Sequence, residues 1–308
     1  PVPYSLFFGR ECDVTQFFNF FVPPGVKGKT VTIVHDMAYK ACPETVKSRT
    51  RHWLNLVLKK SCNRADIIVT VSQFSKDELV RYLGVPKEKI RVMHLGVDQS
   101  KFSNHQSRER IDAVREKYHI KERYYLYLGT IEPRKNIKRL LEAYGRLHDK
   151  MPNAPQLVLA GGRGWLCDDI YETAKALDLG DDILFTGYVE EGEAPVLLAG
   201  AMAFLFPSLY EGFGIPPLEA MACGTPVLSA DKASLPEVLG DAALLINPES
   251  VDEICMGMER LAVDGALRSE LSRKGSERVK IYTWERSAHI LKGIYEELVT
   301  LEERHAVV

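Results

Sequence analysis

Short apolar runs alternate with longer amphipathic stretches along most of the chain. The runs predict nine strands, at Thr30–Val34, Ile67–Val71, Arg91–Leu95, Tyr124–Leu128, Gln156–Ala160, Ile183–Thr186, Ala203–Phe206, Pro226–Ser229 and Ala243–Ile246. The stretches between them predict helices, such as the one after Asn136 with apolar positions at Ile137, Leu140, Leu141, Tyr144 and Leu147. Parallel strands covered by helices on both faces read as continuous apolar runs, so the pattern predicts an α/β fold.

The stretch from Gly96 to about Lys121 is polar and rich in charge, and it separates three predicted strands from six. We therefore expect an N-terminal Rossmann-like domain over residues 1–102 and a C-terminal one over residues 103–281. Residues 282–308 predict a last helix that packs back toward the N-terminal domain. Its apolar side carries Trp284, Ile290, Leu291, Ile294 and Leu298.

Composition narrows the class of protein. The chain has 308 residues and 40 Lys plus Arg against 42 Asp plus Glu, so its charge gives no sign of nucleic-acid binding. Its six cysteines are scattered, which argues against a zinc site or a disulfide framework and favours a reducing compartment. The longest apolar run, Val196 to Phe206, is too short to span a bilayer, and no signal peptide is visible, so we expect a cytoplasmic protein.

Two carboxylates flank a glycine-rich turn. Gly212 and Gly214, between Glu211 and Glu219, let main-chain N–H groups face a ligand closely. A helix that starts at Pro216 would add free N–H groups that favour an anion. A carboxylate cannot itself bind phosphate, so sugar hydroxyls are the expected partners of Glu211 and of Glu219, which we place in the first helical turn. An acidic residue there is also common simply because it interacts well with the helix dipole.

A basic pair follows the fourth predicted strand. Arg134 and Lys135 directly precede Asn136, the predicted N-cap of the next helix. Cations at the positive end of a helix dipole are unfavourable unless an anion is present, so the pair predicts a phosphate clamp, with a solvated basic pair as the alternative. The carboxyl ends of parallel strands share one edge of a sheet, so this pair and the Glu211 turn are expected on the same rim.

Together these segments resemble the retaining glycosyltransferases of family 4. The resemblance covers nearly all of the chain, and its motifs are the Glu211–Glu219 segment, Gly129–Asn136, Gly161-Gly162, Phe185–Val189 and His35-Asp36. It implies the GT-B fold, in which two Rossmann-like domains face each other across a cleft. It also implies transfer of a hexose from a nucleotide-diphosphate sugar to a glycan or lipid-linked acceptor, with retention of configuration and without a cofactor. The chain most resembles mannosyltransferases of bacterial surface-polysaccharide assembly, so GDP-mannose is the first expected donor and UDP-hexoses come next.

The resemblance also implies the role of each site residue. Arg134 and Lys135, in the loop that begins at Gly129, would hold the donor diphosphate, and His35 would lie near the reacting sugar, although a strand-end histidine paired to backbone is an alternative. Glu211 would meet the hydroxyls of the donor sugar, and Glu219 would accept hydrogen bonds from the ribose. The remaining donor-binding positions are the glycine turn with the backbone N–H groups after it, at Gly212, Phe213, Gly214 and Ile215, and the base pocket at Tyr188 and Val189.

The chain departs from the family pattern at two places. Many members have an arginine directly after the glycine of the fourth-strand loop, whereas Thr130 stands here and Arg134 comes five positions after Gly129. Members also open with a strand and a glycine-rich loop, whereas this chain begins at Pro1 and has three predicted strands before the linker. We therefore expect an incomplete N-terminal domain and a fragment of a longer protein.

Other functions remain open. A GT-B enzyme could epimerise or hydrolyse a nucleotide sugar, and a non-catalytic subunit could only bind one. A metal is not expected, because the chain has no Asp-x-Asp pair and the basic clamp can neutralise the diphosphate. The basic amphipathic segment from Arg49 to Ala65 could contact an anionic membrane where lipid-linked acceptors are found, although a packed helix with a solvated basic face is the commoner explanation.

Overall fold

The computed structural model describes residues 3, 4 and 12–306, with the side chains of 301–306 excepted. The strands in this part are β1 (Val14–Phe17), β2 (Lys29–Ile33), β3 (Ile67–Thr70), β4 (Ile90–Val92), β5 (Tyr124–Leu128), β6 (Gln156–Ala160), β7 (Ile183–Gly187), β8 (Ala203–Phe206), β9 (Val227–Ala230) and β10 (Leu244–Ile246). The helices are α1 (Ala38–Ala41), α2 (Ser48–Arg64), α3 (Gln73–Leu83), α4 (Arg108–Lys117), α5 (Ile137–Lys150), α6 (Asp168–Leu177), α7 (Ala194–Gly200), α8 (Ile215–Ala222), α9 (Leu235–Leu239), α10 (Val251–Val263), α11 (Gly265–Arg278) and α12 (Trp284–Ala306).

The chain divides into two compact units. Unit 1 comprises residues 1–96 and 284–308, and unit 2 comprises residues 97–283. The first division falls six residues before the predicted boundary at 102/103, and the second falls two residues after the predicted one at 281/282. The difference at the first boundary arises because Val97 donates its N–H to the Tyr282 carbonyl, which joins the beginning and the end of unit 2.

Unit 1 holds a parallel sheet in the order β1-β2-β3-β4. Strand β3 is buried along its whole length and consists of β-branched residues, which suit a sheet covered on both faces. One face packs on α2 and α3 through residues such as Leu58 and Leu79. The other face packs on α12, whose Ile294 and Leu298 contact the cluster around Val31. The C-terminal helix is therefore part of unit 1.

Unit 2 holds a six-stranded parallel sheet in the order β10-β9-β8-β5-β6-β7. The chain builds outward from β5 to β7, then returns to the other side of β5 and builds outward again from β8 to β10. In open parallel sheets such a reversal leaves a crevice beyond the carboxyl ends of the two central strands, and ligands bind there. The crevice of unit 2 thus lies between the segments that follow β5 and β8.

All nine predicted strands are present, within one to three residues of the predicted ends. Strand β1, with the sequence Val14-Thr15-Gln16-Phe17, was not predicted, because four half-buried residues of mixed polarity leave no clear apolar run. The helix expected to start at Pro216 starts at Ile215 and ends at Ala222.

Candidate functional site

The loop after β5 is held close to the rim by glycines. Gly129 donates its N–H to the carbonyl of Ala160 at 2.9 Å, and Gly161 donates to that of Gly187 at 2.8 Å. Gly161 has a φ of +149°, and a Cβ there would overlap the carbonyl oxygen of Gly129. Only glycine allows this approach of two backbones, so the segments after β5, β6 and β7 form one layer at the rim.

Arg134 crosses from this loop to the segment after β8. Its Nη1 donates to the Tyr210 carbonyl at 2.8 Å and to Glu211 Oε2 at 3.0 Å, and its Nη2 donates to Glu132 Oε1 at 2.9 Å. Its own carbonyl accepts the N–H of Leu209 at 2.9 Å. The two segments on either side of the strand reversal are therefore joined through Arg134.

Lys135 reaches the same carboxylate. Its Nζ lies 2.6 Å from Glu211 Oε1 and 5.0 Å from the centre of the Phe206 ring. Each oxygen of Glu211 thus faces one cation of the predicted phosphate clamp. The side chains of Lys135 and Arg134 are 13% and 19% exposed to solvent, so the cluster is shielded but still accessible to a ligand.

The charges in this cluster hold Glu211 ionised. Burial of its carboxyl raises its pKa, but Lys135 and Arg134 lower it more, and the net pKa lies below the ordinary value. The neighbouring phenol of Tyr127 shows the opposite result, because its burial and the negative charges of Glu211 and Glu132 all raise its pKa. The site is therefore a preorganised group of full charges in a region of low dielectric.

Asn136 has a different role from the predicted one. It occupies the N-cap position of α5, but it has a left-handed φ of 62° and its side chain accepts no backbone N–H of the helix; its Oδ1 accepts Arg139 Nη1 at 3.0 Å. Its Nδ2 instead donates to the carbonyls of Pro207 at 3.1 Å and Pro248 at 2.7 Å. Asparagine tolerates the left-handed region, and its buried amide ties the loop after β5 to two other loops.

The turn between Glu211 and Glu219 is held by hydrogen bonds from Ser234. Ser234 is buried, and its hydroxyl lies 2.9 Å from the Glu211 carbonyl and 3.0 Å from the Phe213 carbonyl. Gly214 has a φ of +112°, so a side chain would be strained at this position. Helix α8 begins at the next residue, and its first N–H groups point back toward the turn.

Glu219 lies in a different environment from Glu211. It is the fifth residue of α8, so its predicted place in the first turn was wrong. No hydrogen bond or ion pair reaches its carboxylate from residues 12–300. Burial raises the pKa of this carboxyl to about 7, and the charge of Lys101 offsets only part of that rise. Glu219 is therefore an unpartnered acceptor, as its predicted contact with a ribose requires.

Tyr188 and Val189 begin the segment after β7. Tyr188 is 77% exposed, whereas Val189 is buried. An aromatic ring that extends from the rim while its neighbour anchors the backbone can stack on a planar ligand. The predicted base-binding role is compatible with this geometry.

His35 belongs to unit 1, whereas all other predicted site residues belong to unit 2. It follows β2, and its ring meets that of Phe20 edge-on at 6.0 Å between centres. Its carbonyl accepts the Ser75 hydroxyl at 3.1 Å, while Ser72 caps α3 by accepting the Ser75 N–H. The backbone of His35 is therefore fixed, and its predicted contact with a sugar stays a prediction.

The described residues contain neither a metal-binding cluster nor a membrane-spanning helix. Within residues 3, 4 and 12–306, no group of three or more His, Cys, Asp or Glu side chains is placed to hold a metal ion. No helix in the same residues is long and apolar enough to cross a bilayer.

Comparison with known proteins identifies the class of the chain. Residues 107–278 match the sequence profile of the "Glycosyl transferases group 1" family, and residues 16–101 match that of "Glycosyltransferase Family 4". O-antigen chain mannosyltransferase B of Escherichia coli is 35% identical over 87% of this chain and 70% of its own length. Serotype-specific mannosyltransferase WbdA of Escherichia coli is 32% identical over 79% of this chain, which spans 30% of that longer protein.

The solved structures agree with the fold prediction. Sucrose-phosphate synthase from Thermosynechococcus elongatus superposes with a TM-score of 0.73 at 25% identity, over 89% of this chain and 69% of its own. Both units of the present chain are parallel α/β units, as expected for GT-B proteins. The predicted fold class is thereby confirmed.

Proposed function

Because the chain belongs to the glycosyl transferases group 1 family and is a glycosyltransferase, we propose that it takes a mannose from a nucleotide-diphosphate donor, with GDP-mannose first and UDP-hexoses next, and transfers it to a glycan or lipid-linked acceptor. The observation that carries the proposal is the convergence of Arg134 and Lys135 on Glu211 at the strand reversal of unit 2. The names of the mannosyltransferase relatives favour mannose.

The cluster has the charges that loss of a nucleoside diphosphate requires. Negative charge grows on the departing phosphate, and preorganised cations near it stabilise the transition state more than the bound donor. Arg134 offers a planar fork to phosphate oxygens and Lys135 offers a compact point charge. These two cations do the work that a divalent ion does in other transferases, so we propose that the reaction needs no metal.

The donor sugar would lie against the Glu211 turn. The Glu211 carboxylate accepts hydrogen bonds from sugar hydroxyls, and the N–H groups of Phe213, Gly214 and Ile215 face the same ligand. Glu219 receives the ribose hydroxyls, and Tyr188 with Val189 receives the base.

We further propose that the transfer retains the configuration of the donor sugar. Glu211 is bound to both cations, so it orients the sugar and does not act as a covalent nucleophile. The acceptor hydroxyl attacks from the side on which the phosphate leaves, and the departing phosphate takes its proton. His35 contacts a sugar hydroxyl near the reacting carbon.

A donor panel tests the proposal. The purified protein is incubated with GDP-mannose and UDP-hexoses, with and without mannose-terminated acceptors, in the presence of EDTA. We expect release of GDP that depends on acceptor, and a product with the anomeric configuration of the donor by NMR. Release of GDP without acceptor would indicate a hydrolase, and conversion of the donor into another nucleotide sugar would indicate an epimerase. Binding without either reaction would indicate a non-catalytic subunit. Loss of activity in EDTA would contradict metal independence.

We also propose peripheral contact of unit 1 with a membrane, since α2 presents an exposed apolar and basic face. Trp53 and Leu56 are 45% and 56% exposed, and the exposed Lys59 and Lys60 follow them on the same helix. Aromatic and basic side chains together suit the interface of an anionic bilayer. The protein should sediment with phosphatidylglycerol vesicles at low salt and less so at high salt, and Leu56→Ser should weaken this. No sedimentation with anionic vesicles at low salt would exclude this contact.

A further inference from the structure

The segment that opens unit 2 packs beside Glu219. The Asp98 carboxylate accepts the N–H groups of Ser100 at 3.0 Å and of Lys101 at 3.2 Å, which fixes the turn at its start. Farther on, the backbone of Ser103 hydrogen bonds to the Cys223 thiol at the end of α8, the helix that carries Glu219. Lys101 therefore extends from a rigid turn that lies against this helix.

Lys101 is connected to both sides of the proposed nucleoside site. Its Nζ forms an ion pair with Glu191, which lies three residues after Tyr188 in the segment following β7. Its charge also lowers the pKa of Glu219 in part, and the charge of Glu219 in turn raises the pKa of the Cys223 thiol. The base side and the ribose side of the site thus share one cation.

Other side chains from the same part of unit 2 also hold the segment after β7. Arg110 Nη2 donates to the Gly192 carbonyl at 3.1 Å, and Lys117 Nζ lies 2.8 Å from Glu193. The Tyr118 hydroxyl donates to the same Glu193 at 2.6 Å. Lys117 also lies 3.3 Å from Glu190, so α4 and the residues after it hold the segment at Glu190, Gly192 and Glu193, whereas Lys101 holds it at Glu191.

From this arrangement we infer that Lys101 is a positioning residue for the nucleoside end of the donor, since it pairs with Glu191 in the Tyr188–Glu193 segment and extends from the turn that packs on α8, the helix of Glu219. The inference rests on the proposed function for the identity of the ligand. Lys101 acts on donor binding and not on the departing phosphate, because its partners are the base-side loop and the ribose-side carboxylate. Its loss should therefore raise the KM for donor without changing kcat.

Three variants separate positioning from a merely structural role. Lys101→Gln removes the charge, Lys101→Arg keeps it, and Lys117→Gln removes a neighbouring tether of the same loop that does not face Glu219. For each, the KM for donor is measured between about pH 5.5 and pH 8.5, and the titration of Glu219 is followed by carboxyl NMR, with Glu219→Gln to assign the signal.

Lys101→Gln should raise the KM for donor about two- to fivefold, the range expected for an exposed ion pair. Only ionised Glu219 accepts two ribose hydroxyls, so the acid limb of donor binding should also move to higher pH in Lys101→Gln. Lys101→Arg should restore both the KM for donor and the pH of the acid limb, and Lys117→Gln should leave the pH of the acid limb unchanged.

An unchanged limb in Lys101→Gln, or an equal shift in Lys117→Gln, would overturn the inference. If the wild-type protein neither binds nor turns over any nucleotide sugar, the proposed function fails, and the NMR titration still decides on Lys101. An unchanged Glu219 titration in Lys101→Gln would then overturn its coupling to Glu219.

Discussion

The two parallel sheets of this chain differ in strand order, and the difference coincides with the location of charge. The sheet of unit 1 proceeds in one direction from β1 to β4, whereas the sheet of unit 2 reverses between β5 and β8. At the reversal two loops separate and leave a crevice, and Arg134, Lys135 and Glu211 gather there. In residues 12–96 the polar groups after β2 and β3 serve mainly to cap α3 and fix backbone. Strand order thus indicates which sheet binds the charged part of a ligand.

The largest effect should come from the cations at the reversal. Lys135→Ala should lower kcat by about 10²- to 10³-fold, the loss expected when one preorganised electrostatic contact to a transition state is removed. Steady-state kinetics with the best donor measures it, and thermal denaturation confirms that the variant folds. Lys138→Ala, which removes an exposed lysine in the first turn of α5, is the matched control and should stay near wild type. Near-normal turnover of Lys135→Ala would break the link between the reversal and catalysis.

The glycine contact at the unit 2 rim should give the next effect. Gly161→Ala should lower the free energy of unfolding by about 3 kcal/mol or more, because the new Cβ meets the Gly129 backbone. Gly84 in unit 1 also has a positive φ, of 66°, but open space around it, so Gly84→Ala should cost only about 1 kcal/mol. Urea unfolding of both variants tests the contrast, and equal losses would show that φ alone matters.

Asn136 connects three loops of the unit 2 rim, and its replacement should have a moderate effect. Asn136→Gly keeps the left-handed backbone but leaves the carbonyls of Pro207 and Pro248 without their donor. The expected loss of unfolding free energy is about 2 kcal/mol, as for other buried hydrogen bonds left unmade. Calorimetry measures it, with Ser72→Ala in unit 1, a lost N-cap of about 1 kcal/mol, as the comparison. A change below the Ser72→Ala loss would contradict the tethering role.

The smallest expected effect is a pH dependence at Glu219. Its pKa is about 7 in the folded chain and 4.5 as an ordinary carboxyl, so the folded state holds an extra proton between these values. That stabilisation is complete below about pH 4.5 and is lost as the pH rises through about 7. Between pH 5 and 8 the wild type should therefore lose about 1 to 2 kcal/mol relative to Glu219→Gln. A constant difference between the two proteins would refute the raised pKa.

The sequence was sufficient to predict the fold and the rim of the site. Buried parallel strands leave apolar runs that are easy to recognise, and their carboxyl ends carry the glycines and charges that were proposed as site residues. It missed β1 because a short edge strand of mixed polarity has no periodic signal. It also placed Glu219 in the first turn of α8, because Pro216 was taken as the first residue of the helix. The helix begins one residue earlier, at Ile215, so Glu219 lies in the second turn.

Contacts between loops were beyond the reach of the sequence. Glu211 was expected to contact sugar hydroxyls, and Arg134 and Lys135 were expected to contact phosphate. In the structure both cations form ion pairs with Glu211. Residues more than seventy positions apart leave no local pattern for such a pairing. Glu132, buried next to Arg134, was not proposed as a site residue for the same reason. Asn136 does occupy the predicted N-cap position, but the hydrogen bonds of its side chain to other loops could not be predicted from the helix alone.

The seating of Glu211 on both cations has a consequence for the end of the reaction cycle. In the proposed function, a bound diphosphate would share Arg134 and Lys135 with a carboxylate that belongs to the protein and that never diffuses away. After transfer of the sugar, the spent nucleotide would lose its sugar contacts but would still face this internal competitor. The glutamate that orients the substrate would thereby limit the affinity for product and help to empty the site for the next turnover.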